Sequence, residues 1–108
     1  MTHPPTLRQL KYLCTLVDTL HFGNAAKACH VSQPTLSAGI QELEDILGVA
    51  LVERSKKQVL ITGLGQEVAK RAREVLTQVD DLVSVCDASQ EPFQSQMRLG
   101  VIPTIAPF

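Results

Sequence analysis

Tryptophan is absent from this 108-residue chain, and its aromatics are confined to Tyr12, Phe22, Phe93 and Phe108. So few rings exclude a surface that stacks the bases of single-stranded nucleic acid. Positive charge is also scarce. The 10 Lys+Arg stand against 11 Asp+Glu, a formal net charge of −1, which excludes a uniformly basic coat. No apolar run approaches the ~20 residues of a membrane span, and the N-terminus has no charged-then-apolar leader. The expectation is a cytoplasmic chain with no membrane partner. Cys14, Cys29 and Cys86 are odd in number and form no C-x-x-C pair, which argues against a disulfide framework or a structural zinc site. Each falls on an apolar helical row, as buried small hydrophobes do in a reducing compartment. His3, His21 and His30 show no i,i+4 pairing. Cys29 and His30 are adjacent, and helical neighbours point about 100° apart. No metal is expected, no cofactor, and no catalytic set, since no base or oxyanion hole accompanies Cys14 or Cys29.

What is present is an ordinary globular share of apolar residues, 44%, enough for one domain or a small domain with an appendage. Leu7, Leu10, Leu13, Cys14, Val17 and Leu20 recur in steps of three and four. They predict a first helix over 7–20, with Thr6 as its N-cap after Pro4-Pro5. His21-Phe22-Gly23-Asn24 reads as a connection, with Gly23 or Asn24 starting a second helix over 25–30. Its alanines, Ala25, Ala26 and Ala28, leave it narrow enough for close approach to a neighbour. Ser32 is a suitable N-cap for a third helix over 33–47. Pro34 lies in its first turn, where a missing N–H costs nothing. Leu36, Ile40, Leu43 and Leu47 line its core face, and Gly48 closes it.

Beyond Gly48 the period changes. Residues 49–54 and 58–62 are short β-branched-rich segments flanking Ser55-Lys56-Lys57, a two-stranded hairpin with positive charge at its tip. Thr62 then caps a long helix over about 63–88. Its seam of Val68, Ala72, Val75, Val79, Leu82 and Cys86 steps 4-3-4-3-4, a heptad pattern, and a second row at Ala69, Leu76 and Val83 widens the apolar face. Two stripes suggest contact with both a partner helix and the helix's own domain. Residues 91–96 read as a hinge, 97–102 as a strand and 103–108 as a loop. One strand has nothing to pair with, so residues 91–108 are expected to begin another domain.

The fold expected is mainly α: a winged helix-turn-helix over 1–62, with three helices and a two-stranded wing, then a dimerisation helix over 63–90. The third helix turns its apolar row inward, leaving Gln33, Thr35, Ser37, Ala38 and Gln41 outward. Short polar groups of this kind suit the DNA major groove, where a glutamine can pair with adenine through two hydrogen bonds. Free N–H groups at the helix start favour a phosphate near Ser32, and Arg54, Lys56 and Lys57 in the wing can neutralise others. Glu42, Glu44 and Asp45 follow Gln41 and would repel phosphate, so the helix is expected to insert by its N-terminal half. Charge divides accordingly. Residues 1–62 carry six Lys+Arg against five Asp+Glu, and residues 63–108 carry four against six. The same near-neutrality also fits a winged helix that docks proteins rather than DNA.

The stretch 22–37 (FGNAAKACHVSQPTLS), then Ile40-Gln41-Glu42-Leu43-Glu44 and Leu47-Gly48, resembles the DNA-binding signature of LysR-type transcriptional regulators. Leu51-Val52-Glu53-Arg54, Leu60-Ile61-Thr62 and Gly65 are similar to that family's wing and linker-helix entry. Within the family, residues 29–37 and 100–108 resemble the peroxide-sensing activators. The alternative is a regulator answering a different small-molecule effector. The resemblance implies a bacterial, nucleoid-associated regulator whose full chain carries a two-lobed α/β sensing domain, with the redox cysteines of the peroxide group in that domain. It also implies promoter DNA as partner, a homodimer through an antiparallel linker helix, a tetramer for the full-length protein, and possible contact with RNA polymerase. Carried over by position, Ser32, Gln33, Pro34, Thr35, Ser37, Ala38 and Arg54 contact DNA. The helix implies a dimer interface of Val68, Ala72, Val75, Leu76, Val79, Leu82, Val83 and Cys86. Ala38-Gly39 stands where many relatives carry a long polar residue, and Gly39 weakens the helix by up to ~1 kcal/mol relative to alanine. Cys29 stands where leucine is commoner, which fits a core role.

Overall fold

The computed structural model describes residues 3–55 and 58–90, with side chains to residue 88. The first helix, α1 (Leu7–Thr19), starts where expected, and a capping box holds it. Thr6 Oγ1 accepts from the Gln9 N–H at 3.1 Å, and Gln9 Oε1 accepts from the Thr6 N–H at 2.9 Å. Its buried face is rotated from the row read in sequence: Gln9, Tyr12, Leu13, Cys14 and Leu16 are interior. Leu7 and Leu20 are 46% and 51% exposed. Leu20 ends the helix in the left-handed region at φ 54°, which removes it from the helical face altogether.

The second helix, α2 (Phe22–Ala28), begins earlier than the expected 25–30. His21 is its N-cap: the ring Nδ1 accepts from the Asn24 N–H at 2.9 Å. The segment read as a connection is therefore the first turn of the helix. Ala25 and Ala26 are buried, as close packing demands. The chain then reverses through 29–32, with His30 left-handed at φ 60°. The third helix, α3 (Gln33–Leu47), has Ser32 as N-cap, Pro34 in its first turn and Gly48 left-handed at its end. Leu36, Ile40 and Leu43 have no exposed surface.

The hairpin is shorter than the sequence suggested. Strand β1 (Val52–Arg54) pairs antiparallel with β2 (Val59–Ile61), Val52 opposite Ile61 and Arg54 opposite Val59. The Ser55 hydroxyl closes its turn, donating to the Gln58 carbonyl at 2.7 Å and accepting from the Gln58 N–H at 3.1 Å. Lys56 and Lys57 lie outside the described residues. Residues 49–51 make no strand because their polar groups are used elsewhere. The Leu51 N–H bonds to a side chain, and the Ala50 and Leu51 carbonyls accept from the Thr62 hydroxyl at 2.9 and 3.2 Å.

Thr62 also starts the last helix, α4 (Gly63–Gln90), its Oγ1 accepting from the Gly65 N–H at 2.8 Å. Glycine is required at 65 because a Cβ there would fall on the Leu51 carbonyl oxygen. Two compact units divide the chain after Thr77. In the first, Leu13, Leu16, Leu36, Ile40, Leu43 and Leu51 are the fully buried large side chains. Each is worth about 1.5–3 kcal/mol relative to an exposed position. Tyr12, Ala25, Ala26, Val52 and Ala69 complete that core, with Val68 packed against it. Of the second unit, the structure describes residues 78–90, all within α4. Residues 91–108, expected as hinge, strand and loop, lie outside the described residues. No helix among the described residues is long and apolar enough to cross a membrane.

Candidate nucleic-acid interface

The buried row of α3 fixes what the helix presents. With Leu36, Ile40 and Leu43 inside, Ser32, Gln33, Pro34, Thr35, Ala38 and Gln41 are exposed, and Ser37 is half-buried. The structure thus brings the predicted helix residues onto one accessible stretch. Ser32 Oγ accepts from the Thr35 N–H at 3.2 Å and donates to Thr35 Oγ1 at 2.8 Å. The two hydroxyls are coupled, and the remaining first-turn N–H groups keep the positive end of the dipole at the surface. Gln33 reaches toward α2: a Cβ on Gly23 would lie 3.6 Å from Gln33 Oε1 and 3.0 Å from His21 Cε1. Gln41 Nε2 donates to Asp45 Oδ1 at 3.3 Å, so the last helix residue in the set is tied to an acid.

Three features were not foreseen. Glu44, expected to repel phosphate, is an interior group only 8% exposed. Its Oε2 accepts from the Leu51 and Val52 N–H groups at 2.8 and 3.1 Å, and its Oε1 pairs with Arg54 Nη1 at 3.4 Å. Arg54, expected as a phosphate contact, is therefore already engaged, with its guanidinium 5.6 Å from the centre of the Phe22 ring. Its side chain stays 37% exposed, and it shares with Gln41 an open cleft of about 530 Å³ between the end of α3 and the wing. The third is Gln9, whose buried amide donates to Oε1 of the exposed Glu42 at 3.0 Å. No local pattern in the sequence marks these pairings, because each partner comes from a different element.

The seam of α4 divides. Ala69 and Ala72 are buried and Val68 is half-buried. Val75, Leu82 and Val83 are exposed at 43, 65 and 51%, with Cys86 also exposed and Leu76 and Val79 half-buried. Among the cysteines only Cys14 is fully interior; Cys29 is half-buried. The Cys14 thiol donates to the Ala69 carbonyl at 3.5 Å. Burial pushes its pKa up, and the nearby Arg73 only partly opposes this. Arg73 is itself held by Asp18 at 2.6 Å, and that hydrogen bond raises its own pKa. A thiol in this state is a poor nucleophile. No cluster of three or more His, Cys, Asp or Glu suited to a metal occurs among the described residues.

This geometry can be set beside known proteins. The HTH-type transcriptional regulator EstR of Acinetobacter baylyi is 51% identical over 104 residues, covering 96% of this chain and 35% of EstR. A probable hydrogen peroxide-inducible genes activator of Streptomyces viridosporus is 46% identical over 104 residues, 96% of this chain and 33% of that protein. The chain thus spans about a third of the length of these curated relatives. Among solved structures, a full-length OxyR variant from Pseudomonas aeruginosa superposes with a TM-score of 0.79 at 45% identity, over 82% of this chain and 30% of that one. The BenM DNA-binding domain in complex with benA site 1 DNA superposes with a TM-score of 0.74 at 34% identity, over 81% and 98% of the two chains. The model of bacterial regulatory helix-turn-helix proteins of the lysR family matches residues 7–66, from α1 through the first turn of α4. That match covers the three helices, the wing strands and the entry to α4, and the chain belongs to the lysR family of bacterial helix-turn-helix regulators.

Proposed function

We propose that this chain is the DNA-reading and dimerising part of a bacterial transcription regulator that binds double-stranded promoter DNA sequence-specifically. The observation that carries the reading is the accessible N-terminal half of α3, where Ser32, Gln33, Pro34, Thr35 and Ala38 stand clear of a closed core. In this reading the helix enters the major groove and Gln33 reads a base edge. Ser32, Thr35 and Ser37 hold phosphates, and Arg54, Lys56 and Lys57 grip the flanking backbone from the wing. Gln41 contacts DNA through Oε1 or its second N–H, since Asp45 takes one donor. Residues 1–62 form the reading module and 63–90 the pairing helix, with 91–108 leading into an effector domain. Pairing doubles the phosphate contacts, so modest charge per chain suffices.

The dimer interface in this reading is carried by the exposed Val75, Leu82, Val83 and Cys86 of α4 together with the half-buried Leu76 and Val79. Val68 and Ala72 serve chiefly their own domain. A tetramer and contact with RNA polymerase belong to the full-length regulator. The inducing signal is either peroxide, supported by the Streptomyces relative and the OxyR structure, or another effector, since EstR, 51% identical, is named simply as a transcriptional regulator. Footprinting the full-length protein reduced and oxidised decides between them: a redox-dependent footprint supports peroxide, and an unchanged one with unchanged transcription removes it. DNA binding is tested by gel-shift titration against promoter fragments at low and moderate salt. Absence of any shift at low salt would convert the reading into that of a protein-docking winged helix.

A further inference from the structure

Arg54 sits at the junction of three elements. Glu44 of α3 holds its Nη1 at 3.4 Å, Phe22 of α2 lies under its guanidinium at 5.6 Å, and β1 carries its backbone. The same Glu44 takes the N–H groups of Leu51 and Val52 through its other oxygen. One carboxylate therefore fixes both the entry of the wing and the side chain at its base. A guanidinium has five N–H donors in a planar fork. Bonding through Nη1 alone leaves donors for an outside acceptor, and the side chain keeps 37% of its surface open. Arg54 also lines, with Gln41, Glu44 and Asp45, the open cleft between the C-terminal half of α3 and the wing.

We infer that Glu44 and Phe22 are positioning residues for DNA binding, acting through Arg54. They hold its guanidinium so that the free N–H groups meet a backbone phosphate lying between the α3 helix and the wing. Glu44 thereby sets the distance between base reading and backbone grip. The inference rests on the DNA-reading function proposed above. Its physical basis is preorganisation. An arginine already fixed on two sides loses less side-chain freedom on binding than one free in solvent. The carboxylate behind it also lowers the cost of desolvating the pair, because one partner is already buried.

The test is a double-mutant cycle on the full chain, read by fluorescence anisotropy against a duplex that the wild-type protein selects from a random-sequence pool. Glu44→Gln keeps an oxygen for the Leu51 and Val52 N–H groups but removes the charge that holds Arg54. It should weaken binding about five- to tenfold in the wild-type background, and by less than about twofold once Arg54→Ala is present. Phe22→Leu should behave the same way. A merely structural role would instead give equal losses with and without Arg54. Thermal unfolding of each variant is followed in parallel. Should Glu44→Gln unfold below the assay temperature, the Phe22→Leu cycle decides alone. Additive cycles overturn the inference while leaving DNA binding intact. Failure of the wild-type chain to select any duplex overturns the proposed function instead.

Discussion

The ring of Tyr12 in α1 lies so close to Gly39 in α3 that a Cβ on the glycine would stand 2.5 Å from Tyr12 Cδ2 and 2.7 Å from Cε2. Tyr12 is only 4% exposed and belongs to the same core cluster as the fully buried Leu13, Leu16, Leu36 and Ile40. Gly39 thus looks like a weak point of the helix in sequence, yet it is the position that lets α1 and α3 meet.

Gly39→Ala is therefore expected to destabilise the domain, against helix propensity. Alanine gains up to ~1 kcal/mol in a helix interior, but the methyl group must displace a buried ring, and overpacking costs about 1–3 kcal/mol. Urea unfolding followed by circular dichroism should show a net loss. Tyr12→Leu in the same chain should recover part of it by vacating the space. A stabilised Gly39→Ala would mean that the ring moves aside freely.

How much of this could be read in advance depends on how far apart the partners lie. Thr6, Ser32, Gly48 and Thr62 were legible as helix boundaries because a cap acts within one turn of its own helix. So were the inward row of α3 and the exposed face that follows from it. The start of α2 was not, since His21 caps through a ring nitrogen, outside the usual Ser, Thr, Asp and Asn set. The Glu44–Arg54 pair, the Gln9–Glu42 bond and the Tyr12–Gly39 contact each join separate elements, and sequence periodicity carries no information about such pairings. Periodicity also could not divide the α4 seam. Ala72 and Val75 are successive positions of one heptad seam, and only the packed fold buries one and exposes the other.

Leu20 offers a gain in stability. It closes α1 in the left-handed region at φ 54° with its side chain half in solvent. That conformation costs an L-residue roughly 1–2 kcal/mol and costs glycine almost nothing. Leu20→Gly should raise the unfolding free energy by about 1 kcal/mol. A loss on thermal or urea unfolding would show that the leucine side chain contributes more than the strain removes.

The two kinds of DNA contact separate by sequence and by salt. Gln33→Ala should weaken binding at the selected site by about 1–3 kcal/mol and leave random duplex nearly unaffected. Lys56→Ala should weaken both alike and reduce the slope of log K against log salt by about 0.9, the value of one phosphate contact. Equal losses on both duplexes for Gln33→Ala would remove that residue from base reading.

Cys14 gives the domain an alkaline limit. Burial holds the folded thiol protonated beyond its ordinary pKa, while the unfolded thiol ionises near pH ~8.5. The folded state then binds the extra proton, so stability from this group is complete below the unfolded pKa. It is lost as pH rises through the elevated folded value. Cys14→Ala should show a smaller fall in stability than the wild-type chain between neutral and alkaline pH, measured by urea unfolding. Parallel curves would mean that the thiol ionises in the folded protein as readily as in the unfolded one.

Association should reside in the exposed half of the α4 seam. Leu82 and Val83 are 65% and 51% exposed, and Val75 is 43% exposed on the same heptad row as Leu82. An apolar row of this kind is stabilised only when another surface covers it, and a second copy of the same helix presents the matching row. Leu82 lies largely in solvent, so Leu82→Glu should preserve helicity and the unfolding free energy. A charge within an apolar seam has no partner when two copies meet, so sedimentation should shift from dimer toward monomer. DNA binding should then lose its second half-site. Two modules on one DNA face bind far more tightly than one because the second contact is intramolecular, and a monomer retains only the weaker single-site affinity. A Leu82→Glu protein that remains dimeric would move the interface off this row, to Leu76 and Val79 or away from α4 entirely.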